Sequence, residues 1–356
     1  MVVSDEALTI AEARTLFSPE NAYLNTATYG LPPRTAWEAL QAAGDEWRHG
    51  RSSFWQWDVG TGAARESFAR LVGVAAGDVA VGPQVSPFAG LVAASLSARA
   101  RVVCVQDDFT SLLFPFLAQR DRGVRVDLVP LDGVAEAIDG GTALVALSAV
   151  QSASGRLADL DAITAAAAHH GAQTFIDATQ AVGWLPLDAQ RFDYLVCGGY
   201  KWLLGLRGTA FFVVRPEAAE RLVPHAAGWY AGEDPATSYY GEPLRLAGDA
   251  RRFDISPAWL NWVAHAPALA VLERVGLAAI HEHDVALANR FRAGLDLPPS
   301  DSAIVSVSLD EDVERRLQAA GVVAAVRGGA TRFSFHLYTT ELDVDRALDA
   351  IRGQTP

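Results

Sequence analysis

The chain has 356 residues, half of them hydrophobic, enough for one large domain and a smaller one around a sizeable core. Its 29 Lys and Arg stand against 42 Asp and Glu, and the net charge of −13 disfavours non-specific binding to nucleic acid or an anionic membrane, so a phosphate-bearing ligand needs a local site. No apolar run reaches the ~18 residues that span a bilayer, and the acidic, amphipathic N-terminal stretch is unlike a signal sequence; the expectation is a soluble cytoplasmic protein.

In chain order, short apolar and β-branched runs alternate with alanine-rich stretches. VAVG (79–82) is followed by the helical run 88–100, RVVCVQ (101–106), the helical run 112–123, RVDLVPL (125–131) and TALVALSAV (142–150). A helix ending in His170, with Gly171 as its C-terminal cap, then precedes QTFIDA (173–178) and FDYLVCGG (192–199). This alternation predicts an α/β fold, a mainly parallel sheet with helices on both faces. Residues 228–250 are rich in Gly, Pro, Asp and aromatics without periodicity and read as a long functional loop. A long helix over 257–275 follows. The C-terminal part reads as strand (302–309), helix (311–321), strand (322–328), strand (331–338) and helix (342–352), a compact α+β unit. The expected division is a large domain over 16–250 and a small domain formed by 1–15 and 251–356.

Cys104 and Cys197 both fall inside apolar strand runs with no CxxC spacing, so buried reduced thiols are expected rather than a disulfide or a zinc site. The pairs His169-His170 and His281-x-His283 lack metal-ligand spacing and read as solvated helix histidines; no metal is expected. There is no phosphate-loop motif and no GxSxG elbow.

Asp177 closes one apolar strand, Gln180 follows three residues later, and Lys201 stands just after another strand in a Gly-Gly-Tyr-Lys-Trp turn. Ligands of open α/β sheets bind beyond the carboxyl ends of strands, where these side chains could meet. A carboxylate and a lysine there have a joint use with pyridoxal 5'-phosphate (PLP): the carboxylate keeps the ring nitrogen protonated, and the lysine holds the cofactor covalently and moves the substrate's α-proton. Taken singly, Asp177 also reads as a helix cap and Lys201 as a surface lysine. Ser86 and Pro87 stand where an N-cap and a first-turn proline belong, which would aim free N–H groups at an anion beside Ser86, or make Ser86 a cap and nothing more. The alternation of TRFSFHLY puts Arg332, Ser334 and His336 on one strand face, where Arg332 could grip a carboxylate or form a surface ion pair.

Over nearly its whole length the sequence resembles the class V aminotransferase and cysteine desulfurase group of fold-type I PLP enzymes. The opening matches at Tyr23-Leu24-Asn25-Thr26-Ala27, the Asp-x-x-Gln motif at Asp177 and Gln180, the lysine motif at Lys201-Trp202-Leu203 with Gly205 and Gly208, and the closing Arg-x-Ser-x-x-x-Tyr motif at Arg332, Ser334 and Tyr338. The resemblance implies PLP as cofactor, an amino-acid substrate and a homodimer. It makes Lys201 the catalytic lysine and puts the phosphate at Gln84-Val85-Ser86, with Val85 and Ser86 binding. Phe109 is the stacking residue, where a core aromatic is the alternative. Tyr200, in place of the usual histidine, would donate a phenolic contact. Arg332 and Asn25 fall to the substrate. In the loop Ala149 to Gly155, Gln151 or Ser152 would reach cofactor oxygen or substrate. The turn Arg252 to Pro257, one residue short of the family pattern, would bring Ser256 to the partner subunit's phosphate.

Desulfurases carry a mobile cysteine shortly before the closing arginine. Here residues 324–330 have none, and no cysteine follows Cys197, so a persulfide-forming desulfurase is not expected. A class V type aminotransferase ranks first and a carbon–sulfur β-lyase second, with racemisation behind them; a catalytically retired partner subunit is the non-enzymatic alternative, against which the joint presence of Asp177, Gln180, Lys201 and Arg332 argues.

Overall fold

Runs such as Val102-Val103-Cys104-Val105 and Leu144-Val145-Ala146-Leu147 have no polar face, which suits strands covered on both sides. The computed structural model describes residues 6–353 and places them in a seven-stranded sheet. In spatial order its strands are Val79–Gly82, Ala210–Val214, Tyr194–Gly198, Gln173–Asp177, Leu144–Ser148, Arg101–Val105 and Arg125–Val129. All neighbours are parallel except Ala210–Val214, which runs antiparallel to both strands it separates. Alternate residues sort to two cores: Val103, Val105, Val145 and Leu147 to one, Val102, Cys104, Leu144 and Ala146 to the other. Cys197 belongs to the first and Cys104 to the second, so the sheet itself separates the two free thiols.

The helix Leu160–His170 begins where the Asp159 side chain accepts from the Ala162 N–H and ends at Gly171, whose φ of 71° is the left-handed cap that glycine favours. The long helix Trp259–Val275 packs against Phe54–Leu71, and Phe68 from the latter stacks on Phe211 of the sheet with ring centroids 4.1 Å apart. Both rings are fully buried, and Phe68→Ala would cost ~3–5 kcal/mol. Residues 228–250 form a loop with short 3-10 turns at Trp229–Ala231 and Pro235–Thr237.

The C-terminal unit has its own core around Leu287, Phe291, Val305, Phe333, Val344 and Leu348. Its sheet orders Ala325–Arg327, Ala330–Ser334 and Ile304–Val307, all antiparallel. Two sequence expectations change here. The run 322–328 is not one strand: Val322–Val323 pairs in parallel with Ala22–Tyr23, and Ala325–Arg327 turns through Gly328 and Gly329, both at positive φ, into a hairpin. The strand expected over 331–338 ends at Ser334; Phe335 keeps one bond, from its N–H to the Ala303 carbonyl, and the chain then turns at Leu337 and Tyr338, so His336 does not share a strand face with Arg332. Packing also crosses the 250/251 boundary: Trp262 and Leu269 join the core of the large sheet, while Ala22 and Leu24 join that of the C-terminal unit.

Candidate active site

Five strands of the large sheet deliver their carboxyl ends to one cavity, the place where ligands of open α/β sheets bind. Gln84 and Val85 follow Val79–Gly82, and Phe109 follows Arg101–Val105. Ser148 is the last residue of Leu144–Ser148, with Ser152 in the loop beyond it. Asp177 ends Gln173–Asp177 and leads to Thr179 and Gln180, while Tyr200, Lys201 and Arg207 follow Tyr194–Gly198. The turn bearing Lys201 is held closely. The Gly30 N–H donates to the Tyr200 carbonyl at 3.0 Å, and a Cβ at position 30 would lie 2.0 Å from the Lys201 carbonyl oxygen. Gly183, at φ 117°, gives the same clearance to the Trp202 carbonyl.

Lys201 is buried, with Nζ 5.5 Å from the Phe109 ring centroid and 5.7 Å from that of Tyr200. Burial brings its amine down to about 8; the Asp177 charge opposes this, and Arg332 and Arg327 add to it. Asp177 is pushed up to about 6 by burial, against the hydrogen bond that its Oδ1 accepts from the Thr179 N–H at 2.9 Å. Neither residue takes its simpler role: Lys201 is not a surface lysine, and Asp177 closes a two-residue turn rather than capping a helix. Phe109 is no core aromatic either, being 46% exposed at the cavity wall.

Gln180 organises the floor. Its Nε2 donates to the Ala27 carbonyl at 3.0 Å and to Ser152 Oγ at 3.1 Å, and its Oε1 accepts from Trp202 Nε1 at 2.8 Å. Behind the Phe109 wall, the buried Asp108 carboxylate accepts from the N–H groups of Phe109 and Ser148, both at 2.7 Å, and from Ser148 Oγ and Gln151 Nε2. Gln151 is thereby turned away from the cavity, and Ser152 takes the lining position: of the two residues proposed for this loop, Gln151 is the one the structure removes. Arg332 lies beneath Ser152, buried, donating from Nη1 to the Ser152 carbonyl and Oγ and from Nη2 to Thr28 Oγ1 at 2.8 Å. Its Nε–H has no partner, and among the described residues no carboxylate lies within ion-pair distance, so a surface ion pair is excluded. Burial lowers the guanidinium to about 10, with Arg327 adding to the effect.

The helix after the first strand begins at Val85, one residue before the expected cap. Gln84, at φ −161°, is the N-cap and Ser86 sits inside the first turn. Pro87 is tolerated there because first-turn residues have no intrahelical N–H bond to lose. No side chain caps this eleven-residue helix, so its first amides are open to an anion. Ser256 is exposed and Asn25 half-buried with an unpartnered Oδ1; neither lines the cavity in the single chain, and Ser86 and Arg332 stand behind its lining, at Val85 and Ser152 respectively. Asp108, Thr179, Arg207 and Thr28 escaped sequence reasoning. Asp108 alone carried a signal, a carboxylate at a strand end like Asp177.

These groups fit PLP: a buried carboxylate for the ring nitrogen, a lysine of depressed basicity, an aromatic wall, and uncapped amides with the Arg207 cation for the phosphate. A sequence profile of the aminotransferase class-V family matches residues 64–314. The chain belongs to that family. It is an enzyme, its cofactor is PLP, and its fold is that of fold-type I PLP enzymes. The uncharacterized aminotransferase YcbU of Bacillus subtilis is 31% identical over 313 residues, 82% of this chain and 83% of that protein. Isopenicillin N epimerase of Streptomyces clavuligerus is 27% identical over 97% of this chain and 98% of its own. Among solved structures, the cystine C–S lyase C-DES in complex with its product cysteine persulfide superposes with a TM-score of 0.84 at 20% identity, covering 95% of this chain and 98% of that one, a likeness of fold.

Proposed function

We propose that this class V enzyme is an aminotransferase acting at the α-carbon of an amino acid. The observation that carries the reading is the buried Lys201 amine, brought down to about 8, in a cavity that Asp177 also lines. The relative named as an aminotransferase, similar over most of both chains, supports it.

Bound PLP supplies the electron sink that makes a substrate's α-hydrogen acidic. Asp177, ionised at neutral pH, holds the proton on the ring nitrogen. Phe109 covers a ring face and keeps water from it. Uncapped amides at Val85, the Tyr200 phenol and Arg207 serve the phosphate end. Arg332 takes the substrate carboxylate through Nε–H and the remaining Nη2 proton, the donors that Ser152 and Thr28 leave open. Lys201 is the group that would take up the α-proton and give a proton back from the same side. Apart from Lys201, the ionisable groups lining the cavity are Asp177, Tyr200 and Arg207. Tyr200 is held protonated by burial and Arg207 is a permanent cation, so a single working base favours same-side proton transfer over two-base epimerisation.

A homodimer is part of the proposal. Ser256 follows Asp254, whose carboxylate is pinned by Arg65 and the Val81 N–H, and is left exposed where a partner's phosphate would be reached. Exposed Trp37, Trp47 and Trp55 offer apolar surface for the interface. The deciding experiment is product analysis over a panel of amino acids and cysteine conjugates with a keto-acid acceptor. Transamination gives the matching keto acid without free ammonia. Pyruvate with released thiol or ammonia would replace this reading by β-elimination.

A further inference from the structure

Thr28 Oγ1 accepts from two guanidinium groups at once, Arg332 Nη2 at 2.8 Å and Arg327 Nη2 at 3.5 Å. Neither arginine has a carboxylate within ion-pair distance among the described residues, in a chain where acidic groups outnumber basic ones. The hairpin holds them together: Arg332 pairs with Ala325 two residues before Arg327, and a Cβ at the tip residue Gly328 would lie 3.6 Å from Ala153 Cβ, beside the cavity residue Ser152. Arg332 is buried with its Nε–H unpartnered, whereas Arg327 is exposed at the outer side of the same hydroxyl. The two cations also act together on Lys201, each lowering its amine. Like charges gathered on one hydroxyl without a counter-ion repel, and a bound anion that reaches both relieves the repulsion. Arg332 keeps its Nε–H and one Nη2 proton without a partner, and Arg327 is exposed on the far side of the shared hydroxyl's two contacts, so two separate anionic groups can be answered by the two guanidiniums.

We infer that the site is built for a substrate with two anionic ends, an amino acid bearing a second carboxylate or an equivalent acid on its side chain, with Arg332 on the α-carboxylate and Arg327 on the distal group. This rests on the reading of Arg332 as the α-carboxylate residue of a PLP site. A mobile thiol is absent from this hairpin, and Arg327 gives the segment a different use, selecting the side chain rather than attacking it.

The test uses holoenzyme, with succinate, glutarate and butyrate as unreactive probes, followed by thermal unfolding and by competition against substrate turnover. Succinate or glutarate should protect and compete at concentrations at least ~10-fold below butyrate, a single charge-assisted contact being worth that much or more. Arg327→Gln should abolish most of that preference and Arg327→Lys should restore part of it; the side chain is exposed, so these variants fold. The ratio of kcat/KM for glutamate or aspartate over alanine should fall by ~10- to 100-fold in Arg327→Gln. Butyrate protecting as well as the diacids, or a diacid preference that survives Arg327→Gln, would overturn the inference. Peptide mapping of the reduced holoenzyme separates the two levels: cofactor on Lys201 without diacid preference sinks this inference alone, and cofactor elsewhere sinks the reading beneath it.

Discussion

Arg332 Nη1 donates to both the carbonyl oxygen and the hydroxyl of Ser152, at 2.5 and 3.1 Å, and that hydroxyl also accepts from Gln180 Nε2. With two donors on its oxygen, the Ser152 proton is free to point to the cavity. The same contact fixes the guanidinium plane. Arg332→Ala should therefore raise KM for carboxylate substrates by about 30-fold, roughly 2 kcal/mol of charge-assisted binding, while PLP stays bound. Steady-state kinetics with absorbance of the bound cofactor checks this, and an unchanged KM for every substrate would contradict it.

Asp177 gives a pH dependence of definite sign. Its carboxyl titrates near 6 in the folded cofactor-free protein, against an ordinary value of 3.8. Between pH 4 and 6 the folded state thus binds more protons than the unfolded state, and stability falls as pH rises through that window. Asp177→Asn removes the penalty, so its stability relative to wild type should grow by roughly 2 kcal/mol from pH 4 to pH 7, as denaturant unfolding of cofactor-free protein would show. A difference that stays flat with pH would mean that the carboxylate is solvated.

Lys201 offers a second titration. In cofactor-free protein it should react with small aldehydes at a rate that rises with pH through about 8, well below the 10.5 of an ordinary lysine. Because Arg332 helps to lower this amine, Arg332→Met should move the midpoint upward. No movement would place the two groups further apart than the structure has them.

The thiols should be silent. Cys104 and Cys197 are fully buried, and burial pushes both up, so a disulfide reagent should find no reactive thiol in native protein and both after denaturation. Cys104→Ala with Cys197→Ala should keep most of the activity. If the enzyme converts cysteine to alanine and leaves a persulfide on Cys197, a desulfurase mechanism replaces the present one.

How far the sequence could be read depends on periodicity. Strands such as Arg101–Val105 and Gln173–Asp177 announce themselves by composition, and a residue at the carboxyl end of a parallel strand faces the crevice, which is why Asp177 and Lys201 could be placed in advance, whereas Phe109 was placed by the family resemblance. Coil has no such rule. Between Gln151 and Ser152 only the pull of the Asp108 carboxylate decides which faces the cavity, and that is a contact 43 residues distant along the chain. Ser86 misled because a serine before a proline imitates a cap, while the extended backbone of Gln84 starts the helix earlier. The TRFSFHLY alternation failed past Ser334 since both faces of that segment are buried, leaving polarity no say in where the strand stops. His336 is instead spent on Asp284 at 2.9 Å and the Trp202 carbonyl at 3.1 Å, a long-range contact that no local pattern encodes.

The central claim is that Lys201 carries the cofactor opposite Asp177, and borohydride reduction of PLP-loaded protein followed by peptide mapping tests it most directly. Lys201 is the only lysine in the sequence, so the sole other amine that could take the label is the chain's N-terminus. The loaded protein should absorb near the edge of the visible range, lose that band on reduction, and yield one modified peptide, with the pyridoxyl group on Lys201; Lys201→Ala should yield none. An unmodified Lys201 with the label on the N-terminal amine, or a loaded protein in which Lys201→Ala leaves the band unchanged, would contradict the account.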